Sequence, residues 1–171
     1  MGTKEKLLDS AEKCLLVKGS HAASVKTIAA MAGVNHGLVH HYFGSKEGLF
    51  IELLKKHFDT IKPSPCLSME REEDLICYLT ETIILNSRMM IELSALSFRM
   101  PDLRKALVSK SIEMRKSLES ILQIDKETSV LLLSAVSGLG FHATLDNEIG
   151  IEKYIRLIVR SLYENRASLS N

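Results

Sequence analysis

Six histidines, three cysteines and one short basic and aromatic run are the residues of this 171-residue chain whose types could support chemistry. His36 and His40 stand one helical turn apart and His57 follows, which is the start of a zinc site. No HExxH accompanies them, Gly37, Leu38 and Val39 lie between, and no acidic third ligand stands in the segment, so no metal is expected. Cys14, Cys66 and Cys77 are odd in number and lack CxxC or finger spacing. Reduced, partly buried thiols follow, with no disulfide framework. A GxSxG elbow and a phosphate-cradling glycine-rich loop are both missing, so neither a cofactor nor enzymatic activity is expected.

What remains is the run from residue 24 to 43, SVKTIAAMAGVNHGLVHHYF. Imidazole and amide side chains at this density can donate to base edges and phosphates. They need a rigid element to carry them. Leu7, Leu8, Ala11, Cys14 and Leu15 recur at helical spacing and predict a first helix over about 3–17, ended by Gly19 as a left-handed cap. Ser24 can cap a second helix bearing Val25, Ile28, Ala29 and Ala32, and Gly33 breaks it. Asn35 can cap a third helix to about Tyr42, and Ser45 a fourth through Leu49, Phe50, Leu53, Leu54 and Phe58. With Ala29 and Ala30 small, Gly33 at the turn, and Val34 with Leu38 or Val39 as anchors, helices two and three read as a helix-turn-helix. An ordinary helical hairpin has the same pattern. The second helix of a helix-turn-helix fits the DNA major groove and presents its amino-terminal residues to base edges.

The continuation VNHGLVHHYFGSKEGLF (residues 34–50) resembles the signature of the TetR family of bacterial transcriptional regulators, and the register extends over about the first sixty residues. FRMPDLRKAL (98–107) is similar to the turn that starts helix seven of that family. The resemblance implies a homodimer on a palindromic double-stranded DNA operator, acting as a repressor. It implies DNA contacts at Ser24, Lys26, Asn35, His36, Gly37, Leu38, His40, His41, Tyr42 and Lys46, with Tyr42 and Lys46 as the phosphate-gripping pair. Leu38 stands where a small hydroxyl residue is usual and His40 where Tyr is usual. Leu38 could press on a thymine methyl or belong to the core, and His36 and His40 could donate to guanine or phosphate. Charging of His36, His40 and His41 below about pH 6.5 is expected to tighten binding.

The rest of the chain must supply a frame. Apolar residues are 46% and charged residues 25%, aromatics only 5%, and there is no Trp; three Pro and nine Gly in 171 residues favour an all-helical chain. KPSPCLS (62–68) holds two of the three prolines and sets a predicted boundary between 1–60, a DNA-binding domain, and 61–171, an effector-binding and dimerisation domain joined through helix four. Later helices are predicted over about 70–85, 88–98, 102–122, 127–145 and 150–166, about nine in all. Residues 1–60 hold eight Lys and six acids, with five of the six His, while the whole chain carries only +1. Local placement, not bulk charge, must attract DNA.

The last two helices carry apolar stripes, Val130, Leu131, Leu133, Val136 and Leu139, then Ile151, Tyr154, Ile155, Ile158 and Leu162. One chain could hardly bury both, which predicts a homodimer through them. Tyr78, Met89, Met90, Leu93, Phe98, Met114 and His142 are expected to line an interior that takes a small apolar effector, a role the resemblance also implies. The longest wholly apolar runs, such as 130–133, fall short of the about 18–20 residues that span a bilayer, so no membrane anchor is expected. The amphipathic start MGTKEKLLDSAEK lacks a secretory stretch, and a cytoplasmic protein is expected. The alternative reading is a helical ligand-binding or scaffolding protein that has lost DNA binding.

Overall fold

The computed structural model describes residues 2–61 and 71–169. These form α-helices and no strand: α1 (Thr3–Lys18), α2 (Val25–Ala32), α3 (Gly37–Phe43), α4 (Lys46–Thr60), α5 (Glu72–Ser97), α6 (Pro101–Leu122), α7 (Lys126–Leu145) and α8 (Ile151–Leu169). The chain is all-α. The proline-bearing boundary at 62–68, with Cys66, lies outside the described residues.

Local chemistry sets most helix ends. Ser24 Oγ accepts the Thr27 amide at 3.0 Å and starts α2. Gly33, at φ 66° and ψ 33°, ends it: its amide reaches the Ala30 carbonyl and the next amide, of Val34, reaches Ala29. Asn35 Oδ1 accepts the Gly37 amide at 2.8 Å, and Ser45 Oγ the Gly48 amide at 2.9 Å. Pro101 opens α6, where its missing N–H costs nothing.

Three expectations need correction. Gly19 has positive φ but ψ 170°, an extended rather than a left-handed helical cap. Ala29 is buried but Ala30 is exposed, so only the first lets a helix approach closely. The predicted helices 70–85 and 88–98 are one helix, α5. Asn86 Nδ2 donates to the Thr82 carbonyl and Ser87 Oγ to that of Ile83, so both polar side chains bond back one turn and the helix passes through them.

Two compact units are distinguished. The first is 1–60 with 88–111, and the second 61–87 with 112–171. The first buries Leu7, Cys14, Ile28, Val39, Phe50 and Leu53. The second is built on Leu75, Leu79, Leu118, Leu132, Val136 and Ile155. Ser129, wholly buried there, donates its hydroxyl to Glu119 Oε1 at 2.7 Å, while Arg115 pairs with the same carboxylate at 2.6 Å.

Charge divides with the units. The first holds thirteen Lys and Arg against eight Asp and Glu, or +5; the second holds nine against thirteen, or −4. A chain of net charge +1 thus contains one basic body, which contour along the sequence alone understates.

Among the described residues one helix, α7, is long and apolar enough to cross a membrane by length and composition, a property the short apolar runs did not predict. Its inner side is tied to α6 through the Ser129 to Glu119 hydrogen bond. Its outer side carries Leu131, Ala135, Gly138, Phe141 and Leu145, with Leu131 and Leu145 each 71% exposed.

Candidate nucleic-acid interface

The helical pair α2 and α3 is seated by a few apolar side chains. Within α3 only Val39 is fully buried and Phe43 is half-buried, so at 100° per residue the opposite face is that of Gly37 and His41. Both are exposed. Leu38 and Tyr42 lie on one flank and His36 and His40 on the other. His40 Nδ1 is 3.1 Å from the Gly44 carbonyl oxygen, which turns this ring back toward the end of its own helix. His41 stacks edge-on against Tyr42, centroids 4.9 Å apart. Leu38 is half-buried.

The residues implied by the resemblance therefore fall into separate roles. Lys26, Asn35, His36, Gly37, His40, His41 and Tyr42 are exposed, as is Ser24, whose hydroxyl is engaged by Thr27. Asn35 spends its carbonyl oxygen on the Gly37 amide. Lys46, the first residue of α4, is partly buried with its ammonium 5.7 Å from the Phe50 ring centroid. Burial pushes its pKa down, and it has no ion-pair partner among the described residues. A cation so placed, beside the free amides of a helix start, lacks a counter-charge that a phosphate would supply.

Gly48 is a positioning residue that the sequence reading passed over. A Cβ there would overlap the carbonyl oxygen of Phe43, the last residue of α3. Its signal was available: a glycine inside the first turn of a helix that already has a serine cap is costly unless something needs the room. Glu47 was also missed. Its Oε1 accepts the backbone amides of Asp102 and Leu103 at 2.7 and 2.9 Å, which fastens the start of α6 to the head of α4. No local pattern signals a bond between residues 55 apart.

The histidines do not gather. Among the described residues no group of three His, Cys, Asp or Glu is placed to hold a metal. His57 is instead largely buried on α4, its Nε2 without a hydrogen-bond partner, and burial pushes its pKa below 6.5 with Glu12 opposing. The unfolded chain then binds the extra proton in the window from about 6.5 down to the folded value. Stability is complete above that window and is lost as pH falls through it. Thermal unfolding is expected to show this as a slope of at most about 1.4 kcal/mol per pH unit. His57→Leu should remove that slope, and identical pH profiles for the two proteins would refute the assignment.

The expected effector lining is dispersed. Phe98 is 81% exposed and His142 is also exposed, so neither lines an interior. Phe98 lies where α5 ends, beyond the last buried turn, and His142 sits on the outer side of α7. Met89 is buried in the first unit. Tyr78 and Met114 meet in the second, where the Tyr78 hydroxyl donates to the Ile61 carbonyl at 2.9 Å and lies 3.5 Å from Met114 Sδ. Burial pushes the Tyr78 pKa up to about 12, which keeps this phenol a donor.

Comparison with known proteins places these observations. Residues 7–53 match the family described as bacterial regulatory proteins, tetR family. The chain is 39% identical over 57 residues to the HTH-type transcriptional regulator BetI of Vibrio vulnificus, covering 33% of this chain and 27% of that protein. It thus spans about a quarter of that relative's length. A transcriptional regulator of Rhodococcus sp. Rha1 has the same fold, with a TM-score of 0.83 at 20% identity over 96% of this chain and 97% of the other. The multidrug binding protein EbrR, solved with imidazole, shares it with a TM-score of 0.73 at 21% identity over 92% and 88%.

Proposed function

We propose that this chain, a member of the tetR family of bacterial regulatory proteins through residues 7–53, is a cytoplasmic repressor that binds a palindromic operator as a homodimer. The observation that carries this reading is the outward face of α3, Gly37 and His41 with flanking Leu38, Tyr42, His36 and His40, next to the unpaired cation Lys46 at the head of α4. Such an arrangement suits a helix lying in a major groove while a neighbouring helix start takes a phosphate. Most of the two stripes expected to pair, Leu133, Val136, Leu139, Ile151, Ile155, Ile158 and Leu162, packs instead in the second unit's own core, and it is the outer side of α7, with Tyr154 and Leu157 on α8, that supports pairing of two copies.

Effector response belongs to the same reading. A small apolar compound would shift the dimer between states with different recognition-helix spacing. EbrR, of like fold, is a multidrug binding protein, which supports a small-molecule effector and leaves DNA binding to the duplex titration.

The experiment is selection of preferred duplexes in vitro, followed by titration of the recovered site. Lys46→Ala is expected to weaken binding to selected and scrambled duplexes alike, and to reduce the slope of log affinity against log salt by about 0.9 per bound chain. Wild-type protein that binds no duplex at low ionic strength would dispose of the reading.

A further inference from the structure

We propose that the corner between α5 and α6 is a second phosphate-contacting element, with Arg99 and Arg104 as its cations, gripping backbone phosphates beside those held at the head of α4. This rests on the reading that the first unit binds duplex DNA. Residues 88–111 belong to that unit and bring five basic residues against two acidic ones. Both acids are engaged. Glu92 Oε2 accepts the Ser20 amide at 2.6 Å, and Asp102 Oδ1 accepts from Lys105 at 3.0 Å. Arg99 and Arg104 are exposed and have no ion-pair partner among the described residues.

Their place is set by Glu47. This residue follows Lys46 directly, and its carboxylate holds the amides of Asp102 and Leu103, so the first turn of α6 sits one side chain away from the phosphate-binding head of α4. Two arginines on either side of that anchored turn are within reach of neighbouring phosphates on the same strand. A planar guanidinium can pair with a phosphate through two parallel N–H donors, which a surface lysine cannot. Neither contact would read a base.

The test is titration of wild-type and Arg99→Ala/Arg104→Ala protein against the selected duplex over a range of salt, with long flanks and with flanks trimmed away. On the long duplex the double variant is expected to lower the slope of log affinity against log salt by about 1.8 per bound chain, at about 0.9 for each lost phosphate contact. Its preference for the selected over a scrambled site should not change, and trimming the flanks should narrow the gap to wild type. Lys116→Ala, a charge removal on α6 in the second unit, should keep the wild-type slope. Should the alanine pair fold poorly by circular dichroism, Arg99→Gln/Arg104→Gln removes the same charges while retaining polar side chains. An unchanged slope in a variant whose wild-type parent binds DNA overturns this proposal alone. A wild-type protein that binds no duplex overturns the underlying reading and this proposal with it.

Discussion

A chain carrying Leu131→Glu and Leu157→Glu is expected to run as a monomer and to bind a palindromic duplex at least a hundredfold more weakly than wild type, with its helical content unchanged. Leu131 is 71% and Leu157 56% exposed, so neither substitution disturbs the interior of the second unit. The outer arc of α7 runs Leu131, Ser134, Ala135, Gly138, Phe141, His142 and Leu145, while Leu132, Val136 and Gly140 face inward. Large apolar residues at the ends of this arc, with small ones between, suit close approach of an equivalent helix. Burying Leu131 and Leu157 is worth about 1.5–3 kcal/mol each, and a glutamate put there brings an unpaired charge into the contact. If the proposed dimer binds with two recognition helices, loss of pairing leaves one, which forfeits about 10²–10⁴ in affinity without touching α3. Light scattering and fluorescence anisotropy measure the two effects separately. A variant that remains a dimer with wild-type affinity would show that this face is not the interface.

Gly48→Ala is the second large effect, and its sign is unusual. In an exposed helix, replacing glycine by alanine stabilises by about 1 kcal/mol. Here the added methyl meets the backbone oxygen of Phe43, which cannot rotate aside as a side chain would. Either α3 or α4 must shift, and overpacking of this kind costs about 1–3 kcal/mol. The shift falls on the corner that sets Tyr42 and Lys46, so affinity for every duplex is expected to drop by an order of magnitude or more as stability falls. Thermal unfolding and duplex titration of the same sample report both. A gain in melting temperature with unchanged binding would mean that the α3 to α4 corner is looser than the backbone shows.

The two substitutions separate the parts of a divided molecule. One tests the second unit, whose apolar outer face is exposed among the described residues, and the other the first unit, whose charge is +5. The basic body is not contiguous in sequence. Residues 1–60 alone carry +2, and the remaining +3 arrives with 88–111.

What the amino-acid order determined by itself is the helix-turn-helix and its immediate edges. Ser24, Gly33, Asn35 and Ser45 act on backbone groups no more than four residues away, so the ends of α2, α3 and α4 are written in local chemistry. The apolar spacing of α1 and α4 likewise names their inner faces without reference to any partner. Tertiary structure alone decided which distant segments share a body. Asn86 and Ser87 look like a break until their side chains bond back within a helix held by its neighbours. Phe98 has the composition of a core residue and lies outside one. Glu47 reaches α6, Gly48 makes room for Phe43, and residues 88–111 join the basic unit through contacts between positions far apart in the chain. The reason is one of range: a cap or a periodicity is a property of neighbours, whereas burial and charge clustering are set only once the chain has folded back on itself.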